Sequence, residues 1–283
     1  MTDTTLRALY GLKYNPFLPA VPTDALWVPP AVEGFLGRIE ALVAQGGFAL
    51  VTGEPGSGKS KCLELLAARL APLPDVTVGV MERPQSRLAD FYRELGELFG
   101  VGLTPLNRYG GFKALRARWR AHLETTLFRP VLLIDEAQEV TTDCLTELRL
   151  LQSARFDSES LLTTVFSADS RLPERFRTPE CLPLGSRIRT RLVLAALSPQ
   201  ELIGYLEFAL AEAGASHLFT RELTATLAVH AAGNLRLLCH MAAEILAIAA
   251  ARSLPTPLDE KLFFEAYPPP GRPRASKPPK VSS

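Results

Sequence analysis

The chain has 283 residues, of which 47% are hydrophobic, and its formal net charge at pH 7 is +1. This length suffices for a full α/β domain and a smaller second domain. The near balance of charge excludes a histone-like polycation, so any contact with DNA would have to come from a local basic patch. The four cysteines are scattered without a CxxC pair, which argues against a zinc site and favours a reducing compartment.

The start of the chain has no apolar core of the signal-peptide type. No uninterrupted apolar run approaches the ~20 residues needed to span a bilayer. These features predict a soluble, cytoplasmic protein that has no membrane partner.

Residues 1–45 are predicted to be a lead-in, because prolines interrupt them and leave room for one helix from about Ala31. Five apolar, strand-like runs follow, with segments of helical spacing between them. The runs are Phe48–Thr52, Val76–Met81, Pro130–Ile134, Leu161–Phe166 and Arg191–Leu194, and the helical segments are Lys59–Leu70, Arg87–Phe99, Gly111–Leu127 and Thr142–Arg155. Apolar strands separated by helices predict a parallel sheet covered on both faces, here within an α/β domain over residues 46–196.

Strand signals stop after Leu194. A capping box at Ser198–Glu201, with proline at the first helical position, predicts a helix that runs to about Ala213. Three more helices are predicted, over about Thr220–Ala231, Asn234–Arg252 and Leu258–Tyr267. Residues 197–267 are therefore expected to form a small all-helical domain. The basic, proline-rich segment 268–283 is expected to be a disordered tail.

The segment GEPGSGKS at Gly53–Ser60 matches the P-loop pattern G-x-x-x-x-G-K-S. Glycines let backbone N–H groups point at phosphate oxygens, and the helix that begins here adds its positive N-terminal dipole. Lys59 is expected to neutralise the β- and γ-phosphates, and the Ser60 hydroxyl to bind magnesium. The alternative is a chance match in an ordinary glycine turn. The residues assigned to ATP in this segment are Gly53, Glu54, Pro55, Gly56, Ser57, Gly58, Lys59, Ser60 and Cys62.

Two adjacent carboxylates, Asp135 and Glu136, follow the apolar run Val131–Ile134. Carboxylates at the end of a buried strand are costly unless they meet a cation or a reacting group. Asp135 is expected to hold Mg²⁺ through water, and Glu136 to act as the base that orients the attacking water. The alternative is a pair of acids that stabilises a helix N-terminus.

Polar side chains also follow the fourth apolar run, where Ser167 and Asp169 are both candidates for holding the attacking water. A strand-end turn explains them nearly as well.

In the segment SRIRTR, Arg187, Arg189 and Arg191 alternate along an extended stretch. One of them, with Arg187 first, could reach a neighbouring subunit's γ-phosphate as an arginine finger; the alternative is a basic edge strand that discourages aggregation.

The segment Gly233–Arg236, GNLR, is predicted to open a helix, with glycine and asparagine forming the tight turn into it. Arg236 in the first turn opposes the helix dipole, which suggests that an external anion such as a phosphate offsets its charge. An ordinary surface arginine is the alternative.

Together these motifs resemble the AAA+ ATPases. More narrowly, YGLKYNPF at Tyr10–Phe17, GGFALVTGEPGSGKS at Gly46–Ser60 and LLIDEAQ at Leu132–Gln138 resemble the ExeA-type branch, which includes transposon-encoded ATPases of the TnsC, TniB, MuB and IstB kind. The likeness covers about residues 8–255. Ala168-Asp169-Ser170 departs from the Gly-Gln-Pro stretch usual in that branch.

The resemblance implies a P-loop AAA+ core of the α/β class, with a five-stranded parallel sheet of order 5-1-4-3-2 and a small all-helical lid domain. It implies that ATP lies between the core and the lid, and that ATP drives assembly into a ring or helical filament. The first hypothesis for its task is a regulator of DNA transposition that binds double-stranded DNA without sequence preference and recruits a transposase, with a target-selection protein as a further partner.

Such a regulator needs a basic surface, and the segment 107–120 supplies one. Arg108, Lys113 and Arg116 lie near the start of a predicted helix and could bind phosphates in a salt-sensitive way; a solvated helix face is the alternative. The basic tail is a second candidate for contact with DNA or the transposase. Alternative functions on the same core are an ExeA-like secretion-assembly ATPase and a helicase-loader or signalling NTPase.

Overall fold

A computed structural model describes residues 3–84, 87–103, 107–126 and 128–268, and it divides the chain into two compact units. One unit comprises residues 22–196. The other combines residues 1–21 with the segment from residue 197 onward. The basic tail and its predicted disorder lie outside the described residues.

The larger unit contains a five-stranded parallel sheet. Its strands are β1 (Gly47–Gly53), β2 (Val78–Met81), β3 (Val131–Ile134), β4 (Thr163–Ala168) and β5 (Ile188–Leu194). They lie side by side in the order 5-1-4-3-2, so β4 separates β1 from β3. This order, together with the helical portion of the chain, confirms the predicted fold class.

Helices cover both faces of the sheet. Phe35, Ile39 and Leu66 belong to one buried apolar cluster, whereas Trp119 and Phe166 belong to the other, so the strands are apolar on both sides. The helices of this unit are Pro30–Val43, Lys59–Leu70, Leu88–Phe99, Arg108–Thr126, Thr142–Gln152, Arg171–Arg175 and Leu182–Gly185, with 3₁₀ turns at Thr23–Ala25 and Ala137–Glu139.

One predicted helix ends early. Instead of continuing to Arg155 it stops at Gln152, and two-residue strands then pair as an antiparallel hairpin, Ser153–Ala154 with Glu159–Ser160. Arg155, Phe156 and Asp157 at its tip have φ values of 47°, 56° and 67°. Such left-handed backbone persists only where surrounding contacts fix it, and here the Asp157 carboxylate accepts hydrogen bonds from Ser153 and Arg187.

The smaller unit is helical, with helices Asp3–Tyr10, Pro199–Glu212, Arg221–His230, Leu235–Ala251 and Glu260–Ala266. The predicted capping box is present, since Ser198 accepts from the Glu201 backbone and the Glu201 side chain accepts from the Ser198 backbone. Across the described part of the chain, no helix is long and apolar enough to cross a membrane.

The predicted lead-in over residues 1–45 is divided between the units. Leu6, Tyr10, Leu12 and Phe17 are buried in the core of the helical unit, and Phe17 stacks on Phe219 with ring centroids 5.7 Å apart. Residues from 22 onward belong instead to the sheet-containing unit. Part of the predicted lead-in, from Leu6 to Phe17, therefore contributes side chains to this hydrophobic core.

Candidate functional site

The loop Gly53–Ser60 connects β1 to the helix Lys59–Leu70, as its motif predicts. Gly56 and Gly58 have φ values of 87° and 98°, which side chains rarely tolerate. A Cβ on Gly53 would meet Ser57 Oγ at 2.4 Å and the Leu194 carbonyl oxygen at 2.7 Å. The loop can therefore take this shape only with glycine at these positions.

Lys59 lies at the centre of the loop. Its side chain is only 7% exposed, and Nζ donates to the carbonyl oxygens of Gly53 at 2.8 Å and Glu54 at 3.1 Å. The Ser57 Oγ is buried and has no hydrogen-bond partner in the described structure. A buried ammonium beside an unpaired hydroxyl, at the start of a helix, fits an anion rich in oxygen such as a polyphosphate. Ser60 is exposed in the first turn of that helix.

Cys62 is also predicted to bind ATP, but unlike the loop residues Gly53–Ser60 it lies one turn into the helix. Its side chain packs in the core beneath the loop, its N–H donates to the Gly58 carbonyl at 2.9 Å, and burial raises the pKa of the thiol to about 12. The Cys62 side chain is therefore an uncharged thiol, and its assignment to ATP stays a prediction.

Asp135 follows β3 and lies beside Ser167 of β4. The strands pair in register with Ile134 opposite Phe166, so the next residue of each comes to the same sheet edge. Ser167 Oγ donates to Asp135 Oδ1 at 2.7 Å, and the Glu136 N–H donates to the same oxygen at 2.9 Å. Among the described residues, Asp135 Oδ2 has no hydrogen-bond partner, which leaves it open to a water bound to Mg²⁺.

Glu136 is exposed and has left-handed backbone angles, φ 47° and ψ 39°. Its carboxylate accepts a hydrogen bond from Gln138 Nε2. Gln138 is a residue to which the motifs assign no role. In the sequence it appears only as the last residue of the segment LLIDEAQ, and the structure adds its contact with Glu136.

Asp169, the second candidate at the end of β4, forms an ion pair with Arg171. Arg171 Nε donates to the two carboxylate oxygens of Asp169 at 3.1 and 2.9 Å, and its Nη2 lies 2.8 Å from Glu139. Hydrogen bonding from Arg171 holds the pKa of Asp169 below its usual value, with a smaller contribution from the positive charge of Lys59. The strand β1 pairs with β4, with Thr52 opposite Ala168, so the phosphate loop that follows β1 begins next to the end of β4.

The three predicted finger arginines have separate environments. Arg187 precedes β5 and donates to Asp157 and to the Pro183 carbonyl. Arg189 donates to Gln45 Oε1 at 3.2 Å, and Arg191 donates to the Gly185 carbonyl at 3.3 Å. Only the latter two lie on the strand, where both are exposed.

Arg236 belongs to the helical unit, so its predicted role toward ATP stays a prediction. The tight turn predicted before it is present: Gly233 has a φ of 85°, and the Asn234 side chain caps the helix by accepting from the Leu237 N–H at 3.1 Å. Arg236 itself is exposed in the first turn.

The predicted DNA-binding residues lie on the helix Arg108–Thr126, and two of them have partners within the chain. Arg108 pairs with the buried carboxylate of Glu147, which also accepts from the Tyr92 hydroxyl. Arg116 Nη1 donates to three main-chain carbonyls at the end of the helix Thr142–Gln152. Lys113 differs, because its Nζ lies 4.5 Å from the centre of the exposed Tyr109 ring.

Comparison with known proteins agrees with this geometry. Residues 43–176 match the family model described as an AAA domain. General secretion pathway protein A of Aeromonas hydrophila is 32% identical over 227 residues, which cover 77% of this chain and 40% of that protein. The chain thus spans about two fifths of the length of this relative.

Solved structures show the same fold. The Cdc6p structure from Pyrobaculum aerophilum has a TM-score of 0.64 at 15% identity and covers 84% of this chain and 66% of its own. The ORC1 protein of Aeropyrum pernix, in complex with DNA, has a TM-score of 0.64 at 18% identity and covers 89% of this chain and 68% of its own. Together, the comparisons show an AAA+ P-loop fold and a likeness to general secretion pathway protein A, while the transposon-type likeness stays a prediction.

Proposed function

We propose that this protein binds ATP with Mg²⁺ and hydrolyses it, and that the bound nucleotide switches the protein between assembled and separate subunits. One observation carries the proposal. The glycine loop centred on Lys59 and the bonded pair Asp135–Ser167 stand at the carboxyl ends of β1, β3 and β4, with the exposed Glu136 beside them. In open α/β sheets, ligands bind at that edge.

The roles follow from the positions of these groups. ATP supplies the phosphoanhydride bond, and Mg²⁺ would neutralise phosphate charge from a position held by Ser60 and, through water, by Asp135. Lys59 would exchange its two carbonyl contacts for phosphate oxygens. Ser167 fixes one oxygen of Asp135 and thereby aims the other. Glu136, exposed at the edge, would accept a proton from the attacking water.

The Lys59→Ala variant is expected to lose ATP binding, because the ammonium at the centre of the loop is removed. Glu136→Gln is expected to bind ATP but to hydrolyse it ~100-fold or more slowly, because the amide cannot accept the proton. Calorimetry and phosphate release measure the two effects. Lys61→Ala is the matched control for Lys59, since Lys61 pairs with Glu64 at 2.6 Å on the following turn. Normal turnover by Glu136→Gln would refute the role of that carboxylate.

For the task of the switch, we propose DNA transposition, with ATP-bound oligomers that coat or encircle double-stranded DNA and recruit a transposase. The support is the basic helix Arg108–Thr126, whose Lys113 is not tied to an acid in the described structure, and the similarity of the fold to an ORC1 protein solved with DNA. Charges repeated in each subunit would sum to sequence-independent phosphate binding.

A secretion-assembly ATPase is the second candidate, and the similarity to general secretion pathway protein A favours it. The two tasks differ in what the ATP-bound assembly needs. A transposition regulator requires DNA, whereas a secretion ATPase requires none.

Negative-stain microscopy of the protein with a non-hydrolysable ATP analogue, with and without duplex DNA, distinguishes the transposition task from the secretion task. For the transposition task, we expect oligomers to form only when duplex DNA is added. These oligomers should dissociate as the salt concentration is raised. Oligomers that form equally well without DNA would favour the secretion task. Monomers under both conditions would refute the assembly switch while leaving ATP hydrolysis to be judged by the Lys59 and Glu136 variants.

A further inference from the structure

The exposed carboxylate of Glu136 has one hydrogen-bond donor among the described residues, the side-chain amide of Gln138. We propose that Gln138 is a positioning residue for ATP hydrolysis, which holds the Glu136 carboxylate in the direction of the attacking water and ties it to the end of β4. The inference rests on the proposed hydrolysis of ATP.

Both ends of the Gln138 side-chain amide form hydrogen bonds. Its Oε1 accepts from the Asp169 N–H at 3.2 Å, just past the end of β4. Since a main-chain N–H can only donate, this contact fixes which end of the amide is the oxygen. The Nε2 must then face Glu136, where it can donate to the carboxylate.

The backbone of Gln138 is anchored as well. Its carbonyl oxygen accepts from Arg175 Nη1 at 2.8 Å, and the surrounding 3₁₀ turn is closed by the Glu139 N–H, which donates to the Glu136 carbonyl at 2.9 Å. The side chain is only 7% exposed. An amide so confined cannot follow a freely rotating carboxylate, so it restricts the carboxylate instead.

Glu136 needs such a restraint because nothing else in the described structure limits its side chain. It is exposed, and it directly follows Asp135 at a position with left-handed backbone angles. A base that must meet one water in line with a phosphorus atom loses rate steeply when it is misplaced by about 1 Å. The contact also connects both carboxylates to β4, since Ser167 holds Asp135 and Asp169 holds Gln138.

An ordinary buried glutamine is the competing explanation, and the chain contains a matched control for it. Gln152 is 2% exposed, and its amide likewise makes two hydrogen bonds, donating to Ser160 Oγ at 2.9 Å and accepting from Thr164 Oγ1 at 2.9 Å. Gln152 joins the helix Thr142–Gln152 to β4, but its side chain has no hydrogen bond to either carboxylate among the described residues. Loss of packing and buried hydrogen bonds should therefore affect both glutamines alike, whereas loss of positioning should affect Gln138 alone.

The test compares Gln138→Ala and Gln152→Ala in the full chain, by steady-state ATP hydrolysis, ATP binding and thermal unfolding. We expect kcat of Gln138→Ala to fall ~10- to 100-fold while the Kd for ATP changes less than about threefold. Gln152→Ala should lose as much thermal stability as Gln138→Ala but keep its kcat.

A second variant gives a readout that packing would not move. In Gln138→Glu the side chain keeps its size and can still accept from the Asp169 N–H, but it can no longer donate to the Glu136 carboxylate. We therefore expect kcat of Gln138→Glu to fall as it does in Gln138→Ala.

Equal turnover in Gln138→Ala and the unmodified protein would overturn the inference, as would a parallel loss of kcat in Gln152→Ala. In either case Lys59→Ala and Glu136→Gln would remain inactive if the proposed function holds. If those two variants hydrolyse ATP normally, the proposed function fails first.

Discussion

Arg116 lies beside the carboxyl end of the helix Thr142–Gln152, where Nη1 donates to the carbonyl oxygens of Leu150 at 2.9 Å and Leu151 at 2.8 Å, and to that of Ser153. The last carbonyls of a helix lack partners within it, and a cation there also meets the negative end of the helix dipole. Burial lowers the pKa of Arg116, and Arg120 contributes in the same direction. In this structure Arg116 acts as a helix cap, whereas its sequence context predicts a DNA contact.

Arg116→Ala is therefore expected to lower the free energy of unfolding by about 1–3 kcal/mol, because charge-assisted hydrogen bonds to the helix end are lost. Chemical denaturation measures the change. Lys113→Ala on the same helix is the control, and it should alter stability little, since Lys113 is exposed and its Nζ lies over the exposed Tyr109 ring. An Arg116→Ala protein of normal stability that had lost DNA binding would restore the DNA contact as the main role of this residue.

Single residues also show where sequence reasoning reaches its limit. Lys59 and Asp135 could be identified because a motif fixes their spacing to neighbours along the chain. Gln138 could not, because its role depends on Asp169, 31 residues further on, which the pairing of β3 with β4 brings close. A short-range pattern carries no information about such a contact.

At the scale of elements, most of the core could be predicted from the sequence. Strands β2 and β3 are nearly continuous apolar runs, β4 has the apolar pair Val165 and Phe166 at its centre, and the helices between them follow 3.6-residue spacing, so the local pattern and the fold agree. The helix Lys59–Leu70 has the predicted limits. The sheet order was available only from the resemblance, because parallel pairing is decided by packing between distant segments.

Two elements could not be predicted for the opposite reason, since tertiary contacts override their local pattern. The hairpin at 153–160 carries left-handed Arg155 and Phe156, residues that do not favour that backbone, and side chains from Ser153 and Arg187 hold it through Asp157. The first 21 residues have prolines and no strong periodicity, yet Phe17 is buried against Phe219. The hydrophobic face that receives Phe17 lies some 200 residues away in sequence, beyond any local signal.

At the scale of the whole molecule, the proposed switch requires that one subunit complete the site of another. Arg187 is the first candidate to do so, and in the single chain it is held by Asp157 and the Pro183 carbonyl. The Arg187 guanidinium and the Ser153 hydroxyl both keep the pKa of Asp157 below its usual value, with the hydrogen bond from Ser153 the larger cause. Arg187 would have to leave this ion pair to reach a neighbour's phosphate, which links assembly to a rearrangement at the hairpin.

Mixing subunits tests whether the arginine acts across the interface. Arg187→Ala should bind ATP normally but hydrolyse it about 1000-fold more slowly, because the charge on the transferred phosphoryl group is no longer neutralised. Lys59→Ala subunits cannot bind ATP but still carry Arg187. A mixture of the two inactive proteins should regain part of the turnover in a phosphate-release assay, since a Lys59→Ala neighbour can supply the missing arginine.

Arg189→Ala is the control, because Arg189 is exposed nearby and bonded to Gln45, and it should stay active. Full activity of Arg187→Ala, or a mixture that remains as inactive as its components, would remove Arg187 from the role of a finger acting in trans.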